Sequence, residues 1–162
     1  MSKLKCKNLK IKQIQFFFLS LSKIIDYFLM DNFKKHIERL RGILLEMNHE
    51  HPYAEKISDG PVSFYFSENL SDNADIAIHK DLGRTVAPNL VVHRQREVES
   101  WRNGILQVWD KFDTEIWFVN SRDKEVSVVH KNQEQIFAPG QDIKSNVFPE
   151  LLIPVRQLFD EV

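Results

Sequence analysis

Asp75, His79, Asn89, His93 and Arg102 are the residues whose types and spacing could do chemistry. In Asp75-Ile-Ala-Ile-His79 the acid, Ala77 and His79 fall on one face of a strand, while Ile76 and Ile78 oppose them. In Pro88-Asn-Leu-Val-Val-His-Arg94, Asn89, Val91 and His93 share one face and Leu90 and Val92 the other. Asp75 with His79 and His93 would make a two-histidine, one-carboxylate metal set. Asp75 and His93 alone offer one oxygen and one imidazole nitrogen, a pair that suits Mn²⁺ or Zn²⁺ better than Mg²⁺. The plainer reading of His93 is a strand histidine hydrogen-bonded in a partly polar cleft. His49-Glu50-His51, beside Pro52, reads as a solvated loop, because adjacent residues in a turn rarely converge on one ion.

The elements that must position these groups centre on a strand-helix-strand unit from Pro88 to Asn120. Between its strands, Val98, Trp101, Ile105, Val108, Trp109 and Phe112 recur at three- and four-residue spacing, which predicts a helix over 98–112 with one buried face. Glu115-Ile-Trp-Phe-Val119 is rich in β-formers and mostly apolar, as for a strand covered on both faces. Trp101, Trp109 and Trp117 therefore read as core, not as a base-stacking set. Upstream, Phe33, Ile37, Leu40, Ile43, Leu44 and Met47 predict a helix over 33–48. Val62, Phe64 and Phe66 alternate with polar residues after the Asp59-Gly60-Pro61 turn and predict a strand over 62–67; Ser71-Asp72-Asn73 reads as a further turn. Downstream, Ser121–Lys124 turns into Glu125–Val129, a hairpin with 115–120. Gln135–Phe137 adds a brief edge strand, and Phe148–Phe159 a short strand followed by helical turns with Pro154 at their start. The expected sheet contains strands 62–67, 75–79, 89–94 and 115–120, with Asp75 and His93 side by side at the mouth of one cleft.

Composition bounds what such a scaffold can do. A chain of 162 residues with 43% hydrophobic and 28% charged residues is one domain's worth of globular protein. Its formal charge of −1 gives no overall pull toward nucleic acid, so any such contact must come from a local patch. The single cysteine, Cys6, excludes an intramolecular disulfide and fits a reducing cytoplasm. Residues 1–30 form a lysine-rich leader with Lys3, Lys5, Lys7, Lys10, Lys12 and Lys23, read as a solvated arm outside a core domain over 31–162. The apolar run Phe16–Leu19 is far too short to span a bilayer, and no membrane partner is expected.

Thr114-Glu-Ile-Trp-Phe-Val-Asn-Ser-Arg-Asp-Lys-Glu-Val-Ser-Val-Val-His130, followed by Gly140–Phe159 with its Phe-Pro-Glu-Leu and Ile-Pro segments, resembles the closing cassette of the putative restriction endonuclease family with the PD-(D/E)xK nuclease fold. The resemblance implies an α/β fold, a restriction-endonuclease-like mixed β-sheet flanked by α-helices. It also implies hydrolysis of DNA phosphodiesters with Mg²⁺ held by two carboxylates, a nearby lysine, and compatibility with a homodimer. Carried over residue by residue, the first acid is Asp75. Asn89 stands where the family has Asp, and His93 where it has the metal-binding Glu. The family's helix lysine falls on Gly104 or Ile105, leaving Arg102 as the nearest cation. Asp75, His93 and Arg102 are thus the candidate catalytic residues, with Asp75 and His93 as candidate metal ligands. These departures point to a weakly active or inactive nuclease, or to a non-catalytic nucleic-acid-binding or protein-interaction domain on the same scaffold. Which cation is held, Mg²⁺, Mn²⁺ or Zn²⁺, or none, stays open.

Overall fold

The computed structural model describes residues 2–67, 70–83 and 87–160. The side chains of residues 2–9 lie outside that description, and with them the reading of Lys3, Lys5, Cys6 and Lys7. The chain begins with one long helix, α1 (Ser2–Glu50). Among the described residues ten strands follow: β1 (Lys56–Ile57), β2 (Val62–Ser67), β3 (Leu70–Ala74), β4 (Ile76–His79), β5 (Leu90–Arg94), β6 (Glu115–Asn120), β7 (Glu125–His130), β8 (Gln133–Phe137), β9 (Asp142–Lys144) and β10 (Leu152–Pro154). Helix α2 (Glu99–Asp110) connects β5 to β6, and α3 (Val155–Phe159) closes the chain. The main sheet is mixed, with order β1-β4-β5-β6-β7-β8, and only β5 and β6 run parallel. That parallel pair exists because α2 is the crossover that carries the chain back to the end of the sheet from which β5 began.

Strand periodicity sorts the core into two faces. Ile76, Ile78, Leu90, Val92, Trp117, Val119, Val126 and Val128 meet Ile37, Leu40 and Leu44 of α1 together with the closing segment. Ala77, Val91, Ile116, Phe118 and Val129 meet Ile105 and Trp109 of α2, with Phe64 and Phe66 of the β2–β3 hairpin packed against them.

Four expectations are corrected. The helix predicted over 33–48 is the packed end of α1: the large apolar side chains from Ile11 to Phe28, and Met30, are exposed, and burial begins near Phe33. A helix with lysines and few breakers propagates by its own hydrogen bonds, so the sequence carries no stop signal between residues 2 and 50. Ser71-Asp72-Asn73 is not a turn but the middle of β3, paired with β2. In consequence 62–67 lies outside the main sheet, in a separate two-stranded hairpin. Helix α2 matches its expected stripe at Ile105 and Trp109, yet Val98 and Phe112 beyond its ends are exposed. No helix among the described residues is long and apolar enough to cross a membrane.

Candidate functional site

The candidate residues gather where β4 enters the sheet against the C-terminal end of β5. Register sets Ile76 opposite Val92 and Ile78 opposite Leu90, so Asp75 comes beside His93 on the main chain, and the Asp75 N–H donates to the Val92 carbonyl at 2.8 Å. The side chains then part. The Asp75 carboxylate accepts the Arg94 backbone N–H at 2.9 Å, and its other oxygen lies 3.1 Å from Arg94 Nε. From α1, Arg41 Nη2 donates to the Asp75 carbonyl at 2.6 Å, so both polar groups of this residue are held.

His93 is 1% exposed, buried rather than at the mouth of a cleft. Its Nε2 lies 3.2 Å from Asp72 Oδ2, off the line of a hydrogen bond, and finds no aligned partner. The same carboxylate oxygen accepts the Trp109 indole N–H at 2.9 Å. Trp101 meets the imidazole edge-to-face, and the Phe118 ring lies tilted beside it at 31°. The acid beside His93 is therefore Asp72, which the turn reading of 71–73 concealed. The available signal was the alternation through Asp72 and Ala74, which places an acid on the hairpin's inward side.

The other positions separate further. His79 stands at the opposite end of β4, paired across β1 with Lys56. Its ring lies four residues, roughly 13 Å of strand, from the level of His93, which rules out a shared two-histidine, one-carboxylate site. Burial, and after it the nearby Lys56 charge, holds the His79 imidazole below its usual value. Asn89 is at that same far end, where its Oδ1 accepts the Lys80 N–H at 2.7 Å; its amide caps a loop and is no substitute for a metal-binding Asp. Arg102 reaches across α2 to Ser127, with Nη2 donating to Oγ at 3.1 Å, and to the Glu134 carboxylate, while its guanidinium lies 4.7 Å from the Phe118 ring centre. Burial alone would raise Glu134, but hydrogen bonds from Ser127 and Arg102 and the Arg102 charge outweigh it and lower its pKa. Ile105, one of the two positions aligned with the family's lysine, is buried on α2's inner stripe. Glu115, at the head of the Glu-Ile-Trp motif, is fully buried and structural: it accepts the Trp117 indole N–H at 2.7 Å and the Asn146 N–H at 2.6 Å.

Mg²⁺ needs several oxygen ligands in near-octahedral array. The residues here do not fit it: Asp75 is engaged by Arg94, and Asp72 is buried and engaged by the Trp109 indole. Among the described residues no group of three or more His, Cys, Asp or Glu side chains could hold a metal ion.

Neither a family model nor a curated protein matches the sequence. The fold does have a solved counterpart: the 1.96 Å crystal structure of a protein described as a putative nuclease belonging to DUF820, from Anabaena variabilis ATCC 29413. It superposes with a TM-score of 0.58 at 14% identity, over 76% of this chain and 80% of that one. At that identity the likeness shows a nuclease-like fold, and the chemistry has to be argued from this chain's own side chains.

Proposed function

We propose that this chain is a nuclease-fold protein that binds nucleic acid and cleaves it weakly or not at all with Mg²⁺. The observation that carries the reading is the Asp75–Arg94 pair. A guanidinium and a backbone N–H take the two carboxylate oxygens that a metal would need. A cation already in place repels a divalent ion, and displacing it would cost the hydrogen bonds it makes. His93, standing where the resembled family has its second carboxylate, adds no negative charge to offset this. A scaffold altered in this way keeps its shape, because the sheet and both apolar faces rest on other residues.

The test is incubation of purified protein with plasmid DNA and Mg²⁺, Mn²⁺ or Zn²⁺ in turn, alongside an oligonucleotide-binding titration at low salt. Little or no Mg²⁺-dependent cleavage with measurable binding is expected. Robust cleavage with Mg²⁺ that Asp75→Ala abolishes would overturn the proposal, since Asp75 would then be a working ligand. Absence of binding at low salt, where phosphate contacts are strongest, would favour a protein-interaction role on the same scaffold.

A further inference from the structure

Outside the Asp75 region, a groove of about 480 Å³ runs between α1 and the β6–β7 turn, lined by Asn32, Lys35, His36, Arg39, Ser121, Lys124, Phe159 and Asp160. We propose that this groove is a phosphodiester-binding site, the place where the chain contacts a nucleic-acid backbone. The inference rests on the nucleic-acid-binding reading above and assigns that reading a surface.

Charge distribution carries the argument. Among the described residues three cations and one acid line the groove, in a chain whose formal charge is −1, so positive charge is locally in excess here. Lys35 and Lys124 are exposed and make no ion pair among the described residues. Arg39 is oriented by backbone carbonyls rather than by a carboxylate: its Nη1 donates to Leu158 at 3.3 Å and to the Asp160 carbonyl. Those bonds hold the guanidinium in place and leave its charge unneutralised. Lys35 and Arg39 are one turn apart on α1, about 6 Å along the helix axis, so they present successive charges along the groove. At the floor His36 Nδ1 meets Ser121 Oγ at 2.8 Å, a polar base with a hydroxyl suited to a phosphate oxygen.

Backbone conformation decides how Lys124 can be replaced. Lys124 has φ 55°, the left-handed region that favours glycine. A lysine there costs on the order of 1 kcal/mol relative to an unstrained position. The tight β6–β7 turn requires that conformation, so glycine can stand at 124 without disturbing the hairpin.

The experiment uses the full chain and a fluorescently labelled duplex of mixed sequence, titrated at several salt concentrations. The variant Lys35→Gln/Lys124→Gly removes two groove charges, and glycine at 124 relieves the backbone, so thermal stability should not fall. Lys111→Gln/Lys144→Gln, which changes two exposed lysines outside the groove, is the charge-matched control. The groove variant should bind on the order of tenfold more weakly, with the slope of log affinity against log salt reduced by about 2, and the control should stay near native. Native binding lost equally in both variants, or in neither, overturns the groove assignment while leaving nucleic-acid binding standing. A native chain that fails to bind the duplex overturns the assignment together with the reading it rests on. Lysine-dependent capture by anionic phospholipid vesicles without duplex binding overturns both in favour of a lipid surface.

Discussion

The two faces of the central sheet are built to different rules. Toward α1 the buried strand residues are aliphatic or aromatic apart from Glu115, whose carboxylate accepts the Trp117 indole and Asn146 N–H groups, and Leu40 and Leu44 complete the core. Toward α2 the same strands present His93 beside Asp72, with Trp101, Phe118 and Trp109 packed around them. The α1 face depends on volume, and any side chain of similar shape serves it. The α2 face depends on partners, because each buried polar group left alone costs more than its contact contributes. The resembled family would place chemistry on this side. Here Asp72 accepts the Trp109 indole N–H beside a His93 ring that lacks an aligned partner, and the acid that remains accessible, Asp75, turns to Arg94. A former site and a structural polar core share one inventory, and what separates them is whether a carboxylate still faces open space.

Shrinking a side chain on the α1 face should produce the largest effect. Leu44 is fully buried, and Leu44→Ala should cost about 3 kcal/mol by lost transfer energy plus cavity. The check is the urea midpoint at unchanged m-value. A loss below about 1 kcal/mol would show that α1 repacks freely, and the contrast between the faces would lose its first half.

Next in size is removal of a partner on the α2 face. Asp72→Ala strips the acceptor from the Trp109 indole and the acid from beside His93, and should cost about 2 kcal/mol although it deletes little volume. Adding His93→Leu should recover part of that loss, since an imidazole already lacking an aligned partner is removed. Strict additivity of the two substitutions in a double-mutant cycle would show that Asp72 and His93 are not coupled, and the idea of a partner-built face would fail.

The sequence made the α1 side legible and left much of the α2 side obscure, for a physical reason. Apolar periodicity identified both buried helix stripes, the parallel unit 89–120 and the hairpin beyond it, because burial acts on every turn of a helix and every second residue of a strand. The nuclease-like fold was reached through the resemblance of Thr114–His130 and Gly140–Phe159 to the closing cassette of a nuclease family. Asp72 went unrecognised because Ser-Asp-Asn has turn chemistry and only the pairing with β2 makes it a strand. The Asp75–Arg94 contact lay beyond reach because Arg94 alternates to the face opposite His93, and which side chain bends across a strand end depends on register. The length of α1 escaped as well, since exposed apolar residues such as Phe16 and Phe17 break the rule that apolar means buried.

Arg102 sits at a partly exposed edge of the α2 face, so a smaller effect is expected there. Arg102→Gln removes the Glu134 ion pair and the guanidinium over Phe118, for a loss of about 1 kcal/mol. Glu134 should then titrate higher, because burial raises it and two of the three influences lowering it are gone. In the native chain the folded value is the lower one. This contribution is therefore present above the unfolded carboxylate value and is lost as pH falls through the folded value. Carboxyl NMR shifts of Glu134 in both proteins provide the measurement; an unmoved titration would show that Ser127 alone holds the carboxylate.

The smallest effect belongs to His79, which tests whether partner dependence reaches beyond the α2 face to the sheet's far edge. Its Nδ1 is buried without a hydrogen-bond partner, and burial with Lys56 close by depresses its pKa. A lowered folded value means that the unfolded chain binds the proton more tightly. Stability from the neutral ring is therefore fully present above the unfolded histidine value of about 6.5 and declines as pH falls through the lower folded value. His79→Gln keeps a polar side chain of similar reach and removes the titration. The native melting temperature should accordingly drop more between pH 7.5 and pH 5 than that of His79→Gln, and Lys56→Gln should narrow the difference by removing one of the two causes. Parallel pH profiles for native and His79→Gln proteins would mean that this ring is protonated as readily in the fold as outside it, and the cost of unpaired polar groups would then be confined to the Asp72–His93 side of the sheet.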